Sequence, residues 1–304
     1  MDRREFLAQV AAYTAGLTAL PPVFRIVPQA LAAESAPPVL SVAKGTDHEA
    51  LAAKVLEPLG GIGAFVKKGQ KVVIKPNIGW DKKPEQAANT NPALVKALVK
   101  LCLDAGASKV MVFDRTCQEE RRCYATSGIQ AAVNSIKDSR ASCTFIDDRK
   151  YMNVKIEKGK GVKTWEFYKD ALEADCYINV PIAKHHVLAK LTLGLKNIMG
   201  VIGGERGQIH QSLGQRIADL NTVLRPQLTI LDATRILLRN GPSGGDLKDV
   251  KVLDTVIASA DTVAVDAYST TLFDLKPEDI DSTRAGRDLG LGEMDLAKVK
   301  IIKL

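Results

Sequence analysis

Residues 71–75 read Lys-Val-Val-Ile-Lys, a β-branched run that constrains the fold more than any other stretch. Such a run fits a central strand. It ends in Pro76-Asn77, with Gly79 and Trp80 following. Asn89-Thr90-Asn91-Pro92 then has the chemistry of a helix start: Thr90 or Asn91 can cap, and Pro92 fits the first turn. Leu94, Leu98, Val99, Leu101 and Cys102 supply an apolar face, and Gly106 ends the helix. Val110 to Phe113 form the next strand, closed by Asp114. Strand, helix and strand over 71–114 predict two adjacent parallel strands, with Lys75, Asn77 and Asp114 at one sheet edge.

The alternation continues along the chain. Further strands are expected over 39–43, 143–146, 177–180, 228–231, 252–259 and 299–302. Helices are expected over 47–59, 128–135, 217–223 and 261–272. Residues 149–170 are more polar and read as a surface excursion, a hairpin. The pattern predicts an α/β architecture of mostly parallel sheets with flanking helices. It divides into two α/β lobes, 39–170 and 171–304, with a site between them, or forms one continuous domain.

Residues 178–204 carry the densest chemistry. After the strand and Pro181, they place Lys184, His185, His186, Lys190, Thr192, Lys196 and Asn197 among apolar neighbours. Isolated buried cations are costly, so such groups have a partner or a ligand. The alternative is a solvated polar rim on an ordinary strand–helix connection. Thr192 and Lys196 lie four apart, which puts them on one face of a helix starting just after His186. Lys196 then either binds an anion at that helix N-terminus or pairs with Asp266. Lys75 either binds an anion or pairs with Asp114. Asn77 orders a turn or touches substrate. His186 suits a metal site or general acid/base work, while His185, its strand neighbour, faces away.

Charge narrows the partners. The formal balance is +7, spread along the chain without runs of Lys and Arg interleaved with aromatics. That argues against nucleic acid and for a small anionic ligand. Asp2-Arg3-Arg4-Glu5-Phe6-Leu7 looks like a twin-arginine export signal, and Ala30-Leu31-Ala32 offers a cleavage site. Residues 1–32 are therefore expected to be a signal peptide and 33–38 a linker, giving a periplasmic or otherwise exported protein. The export machinery is the implied partner. The uncharged stretch from Phe6 to Phe24 is too polar and too broken for a membrane span, and no stable span is expected after signal removal. Export through this route carries folded proteins, consistent with a metal or cofactor loaded beforehand. In an oxidising compartment Cys117 and Cys123, six apart, can close a local disulfide.

Taken together, the motifs resemble a known family. Lys75-Pro76-Asn77 after a strand, Thr90-Asn91-Pro92 before a helix, and Lys184-x-His186 followed by Thr192-x-x-x-Lys196-Asn197-x-x-Gly200 are similar to the domain of unknown function 362 family. His210, Asp219, Asp232, Asn240-Gly241-Pro242, Asp261 and Asp266 match its later blocks, so the likeness covers roughly 40–275. The resemblance implies positions and no reaction. Some relatives carry an appended iron–sulfur module; its cysteines are missing here, so no ferredoxin-type cluster is expected. The expectation is an exported enzyme acting on a small anionic substrate, or a non-catalytic metal-, cofactor- or anion-binding maturation protein. Lys184, His186 and Lys196 are the catalytic candidates. Lys75, Asn77, Thr192, Asn197 and Asn240 are the substrate-binding candidates, and His186, His210 and Asp232 the metal ligands.

Overall fold

The computed structural model describes residues 36–304. The expected signal peptide and the first residues of the linker lie outside them. Twelve strands and eight α-helices follow in order: β1 Val39–Lys44, α1 His48–Leu56, β2 Lys71–Pro76, α2 Pro92–Asp104, β3 Lys109–Val112, α3 Glu120–Thr126, α4 Ile129–Asn134, β4 Ala141–Cys143, β5 Tyr151–Lys155, β6 Thr164–Tyr168, α5 Lys169–Leu172, β7 Cys176–Val180, β8 Ile182–His186, β9 Lys190–Thr192, α6 Leu213–Asn221, β10 Leu228–Leu237, β11 Val250–Ser259, α7 Thr262–Thr270, α8 Asp281–Asp288 and β12 Lys300–Lys303.

Ten strands join one sheet in the order β12-β1-β11-β10-β7-β2-β3-β4, with β8 and β9 extending from β10. Strands β2 and β3 are adjacent and parallel, as the 71–114 pattern predicts. Parallel pairing also joins β3 to β4, β2 to β7 and β7 to β10. The antiparallel pairs are β1 with β11, β10 with β11, and β8 with β9. The expected hairpin over 149–170 is the separate ribbon β5–β6.

Two lobes are not what forms. Strand β7, from the second expected lobe, inserts between β2 and β10, so strands of both expected lobes share one sheet and residues 37–304 make one unit. The reason lies in the apolar runs. Val72 and Ile74 of β2 enter one core with Cys176, Ile178 and Val180 of β7, packed against α1 and α2. Val73 and Tyr177 enter a second core on the opposite face with Ile217 and Leu220 of α6. Strands apolar on both faces fit a parallel sheet covered on both sides, and β2 and β7 pack together in both cores.

Local signals set the helix starts. Asp47 Oδ1 accepts the Glu49 and Ala50 N–H groups at 2.9 and 3.2 Å and starts α1. The Asn91 side chain accepts the Ala93 N–H at 3.0 Å, with Pro92 in the first turn of α2. Gly106 (φ 88) closes the turn after α2 in the left-handed region.

The stretch after Pro181 departs from the expected helix. Strand β8 continues beside β10, turns at residues 187–189, and returns as β9, with Lys184 opposite Thr192 and His186 opposite Lys190. Lys196 and Asn197 follow on the 3-10 segment Leu195–Gly200. Thr192 and Lys196 therefore share no helix face. The N–H groups of Gly194 and Leu195 are taken by the Asp266 carboxylate at 2.6 and 3.0 Å, so no ligand can sit on that helix start.

Candidate functional site: a lysine-lined cavity

The C-terminal ends of β2 and β3 and the β8–β9 hairpin surround a cavity of about 480 Å³. Such a rim is where open α/β sheets bind ligands. Strand alternation turns Lys184 and His186 to the cavity and His185 away from it; His185 Nδ1 instead accepts the Gly241 N–H at 3.1 Å. Lys75, Asn77, Asp114, Thr192, Lys196, Asn197 and His210 also line the space. So do Trp80, Val187, Leu188, Met199 and Pro242, which give it an apolar wall.

A buried polar chain fixes the floor. Lys75 Nζ lies 2.8 Å from Asp114 Oδ1 and donates to Asn197 Oδ1 at 2.7 Å. Asn197 Nδ2 donates to the Lys75 carbonyl and to Asn179 Oδ1 at 3.1 and 2.8 Å. Lys184 Nζ donates to Asn77 Oδ1 at 3.0 Å and to the Ala88 carbonyl. Lys75 thus takes its structural alternative, an ion pair with Asp114. Burial lowers the Lys75 ammonium and raises the Asp114 carboxyl, with their mutual attraction opposing both shifts. Gly200 is required for this packing: a Cβ there would fall 1.6 Å from Asp114 Oδ1.

The other two lysines have no such partner. Lys184 is 1% exposed, and its bonds go to an amide and a carbonyl. Lys196 is half-buried and has no hydrogen-bond or ion-pair partner among the described residues. Asp266, the alternative partner, is spent on the Gly194 and Leu195 N–H groups. Burial pulls Lys184 down to about 7 and Lys196 to about 8. Five Lys and Arg residues line the cavity against one carboxylate, Asp114. Arg115 and Arg206 spend their guanidinium donors on backbone carbonyls, including those of Ile202, Gly204 and Met199. Arg206 thereby pins residues 115 and 116 to the 3-10 segment and helps to shape the cavity, a role sequence reasoning missed because arginine in a loop carries no local signal.

The expected metal set does not assemble. The sequence pattern puts Asp232 at a strand end, but β10 runs on to Leu237 and places it mid-strand. Its carboxylate accepts the Asn91 N–H at 2.7 Å and the Thr234 N–H and hydroxyl at 2.9 and 2.7 Å, away from the cavity. His210 is exposed on the 3-10 segment Arg206–Ser212, its ring centroid 6.3 Å from that of His186. Among the described residues no three His, Cys, Asp or Glu side chains come close enough to hold a metal ion. Asn240 is also outside the cavity: it is exposed and donates to Asp249 Oδ2 at 2.6 Å. The expected disulfide is not formed. Cys117 is an exposed thiol on the cavity wall, while Cys123 is buried with Sγ turned to the Gly79 carbonyl at 3.7 Å.

A second depression of about 510 Å³ lies beside Pro38, Arg225 and Asp261. Arg225 is bound to the Leu291 carbonyl and Asp261 caps α7, so neither is left for a ligand.

Fold and site define a class: an α/β protein with a cation-rich cavity at the strand ends of a largely parallel sheet. Within it, the chain belongs to the family described as "Domain of unknown function (DUF362)", which matches residues 72–271. A thylakoid-associated protein of Synechocystis sp. (strain ATCC 27184 / PCC 6803 / Kazusa) is 30% identical over 249 residues, covering 78% of this chain and 73% of that protein. Among solved structures, the lactate racemase apoprotein from Thermoanaerobacterium thermosaccharolyticum aligns at a TM-score of 0.41 and 12% identity, over 73% of this chain and 54% of that one. A protein from Thermotoga maritima aligns at 0.42 and 10%, over 81% of this chain and 60% of its own. The chain thus spans less than two thirds of either solved structure.

Proposed function

We propose that this protein is an enzyme acting on a small organic anion, with Lys196 holding the anion and Lys184 taking and returning a proton. One observation carries the reading: a buried and a half-buried lysine in a single cavity, neither bonded to a carboxylate. Such cations repel until an anion joins them or one loses its proton. Lys184, drawn to about 7, is largely a free amine just above neutral pH. Its two N–H bonds go to Asn77 and Ala88, which leaves the nitrogen lone pair for a substrate proton. The apolar wall of Trp80, Leu188 and Met199 suits the organic part of the ligand.

The test is a thermal-shift screen with organic carboxylates and phosphate esters, followed by NMR of each hit in D2O. The reading predicts stabilisation that is lost in Lys196→Met, and exchange of a substrate proton that is lost in Lys184→Gln. Absence of any stabilising anion, or equal stabilisation of Lys196→Met, would overturn it.

We also propose export through the twin-arginine route, supported by Arg3-Arg4-Glu5-Phe6-Leu7.

A further inference from the structure

The ring of His186 is held in one orientation by its own hairpin turn. Its Nδ1 accepts the N–H groups of both Leu188 and Ala189, at 3.1 and 3.2 Å. A nitrogen that accepts two backbone N–H groups offers its lone pair and bears no hydrogen. In the neutral ring the proton must then be on Nε2. The ring lines the cavity, and Nε2 has no partner among the described residues. Opposite Lys184 in the β8–β9 register is Thr192, which also lines the cavity; its hydroxyl is buried and has no hydrogen-bond partner. The Nε2–H thus faces the space beside Lys196 without a protein partner.

We infer that His186 is a fixed neutral hydrogen-bond donor, which through its Nε2–H binds an oxygen of the anionic ligand and neither transfers protons nor takes a metal. This inference rests on the anion-binding reading above and assigns the ligand an oxygen that accepts this bond. The chemistry agrees on each count. Metal coordination through Nε2 would require removing its hydrogen, and Nδ1 is already occupied. Protonation would place a hydrogen on Nδ1, facing two N–H groups. The groups around the ring are Lys184, Lys196, His185 and His210, all basic, so no carboxylate among them favours an imidazolium. Burial, then the nearby Lys196, holds the ring down to about 3, far from general-base work near neutral pH.

Two variants separate the roles. His186→Asn keeps an acceptor where Nδ1 stands and removes the Nε2 donor. His186→Gln keeps a donor reaching towards the cavity. Long-range 15N NMR on the wild-type protein reads the tautomer directly. The expected result is an Nε2–H imidazole that does not titrate between about pH 5 and 8. His186→Asn should keep the melting temperature that His186→Ala loses, because it still anchors the turn. Zinc or nickel ions alone, titrated into wild type and His186→Gln, should show no binding that depends on His186. An Nδ1–H tautomer, titration of the ring in that range, or stoichiometric metal binding lost in His186→Gln would overturn the inference. The tautomer is read without ligand, so this result stands apart from the anion screen, whose failure would remove the functional reading instead.

Discussion

Lys196 and Asp266 do not pair: the Asp266 carboxylate accepts the N–H groups of Gly194 and Leu195, while Lys196 lines the cavity without a partner among the described residues. The pairing would have made Lys196 a structural residue. Its absence leaves a half-buried cation whose natural complement is an anionic ligand.

Lys196→Met should therefore keep or raise stability, since it removes a desolvated charge and breaks no hydrogen bond. It should weaken binding of any stabilising anion about ten- to a hundred-fold, the scale of one charge-assisted hydrogen bond. Thermal melts with and without the anion measure both effects.

The pH dependence follows from the sign of the shifts. Lys184 and Lys196 are held at about 7 and about 8, below the ordinary lysine value of 10.5. Between the lowered and ordinary values the unfolded chain binds protons that the folded chain lacks, so their contribution to stability rises with pH there. Below about 7 both forms are protonated and their penalty is complete. An anion binds the ammonium forms, so its thermal protection should be larger near pH 6 than near pH 9. Equal protection at both would contradict the lysine assignment.

Asp114→Asn should destabilise by about 3–5 kcal/mol, because it leaves Lys75 buried without its carboxylate. Gly200→Ala should cost about 1–3 kcal/mol by driving a methyl group into that pair. Urea unfolding of each variant, against a surface control, reads these differences.

The thiols give a simple count. Cys102, Cys123, Cys143 and Cys176 are buried and Cys117 is exposed. Iodoacetamide should therefore modify one cysteine in the folded protein, at Cys117, by mass spectrometry. No modification without prior reduction would show Cys117 tied in a disulfide.

Replacing Arg3 and Arg4 by lysine should block export without moving the melting temperature of the folded unit. Normal export of that variant would refute the signal.

Much of this arrangement was legible in the sequence because it rests on local patterns. The β-branched run at 71–75, the Asn91-Pro92 helix start and the Gly106 stop fixed β2, α2 and β3. The placement of Lys184 and His186 on one side and His185 on the other followed from strand alternation. What escaped notice depends on long-range pairing. Asp232 looked like a strand end until β11 pairing carried β10 on to Leu237. The hairpin at 187–189 looked like a helix start because Thr192 and Lys196 share a spacing of four, which a strand followed by a 3-10 segment also yields. The insertion of β7 between β2 and β10 joins residues over 100 positions apart, and no local signal reports it.

The most direct measurement is the titration of the Lys184 and Lys196 side-chain amines by NMR, in the free protein and with a stabilising organic anion. The account predicts values near 7 and near 8 without ligand, both moving upward when the anion binds. Two lysines titrating at the ordinary 10.5, unmoved by any anion, would contradict it.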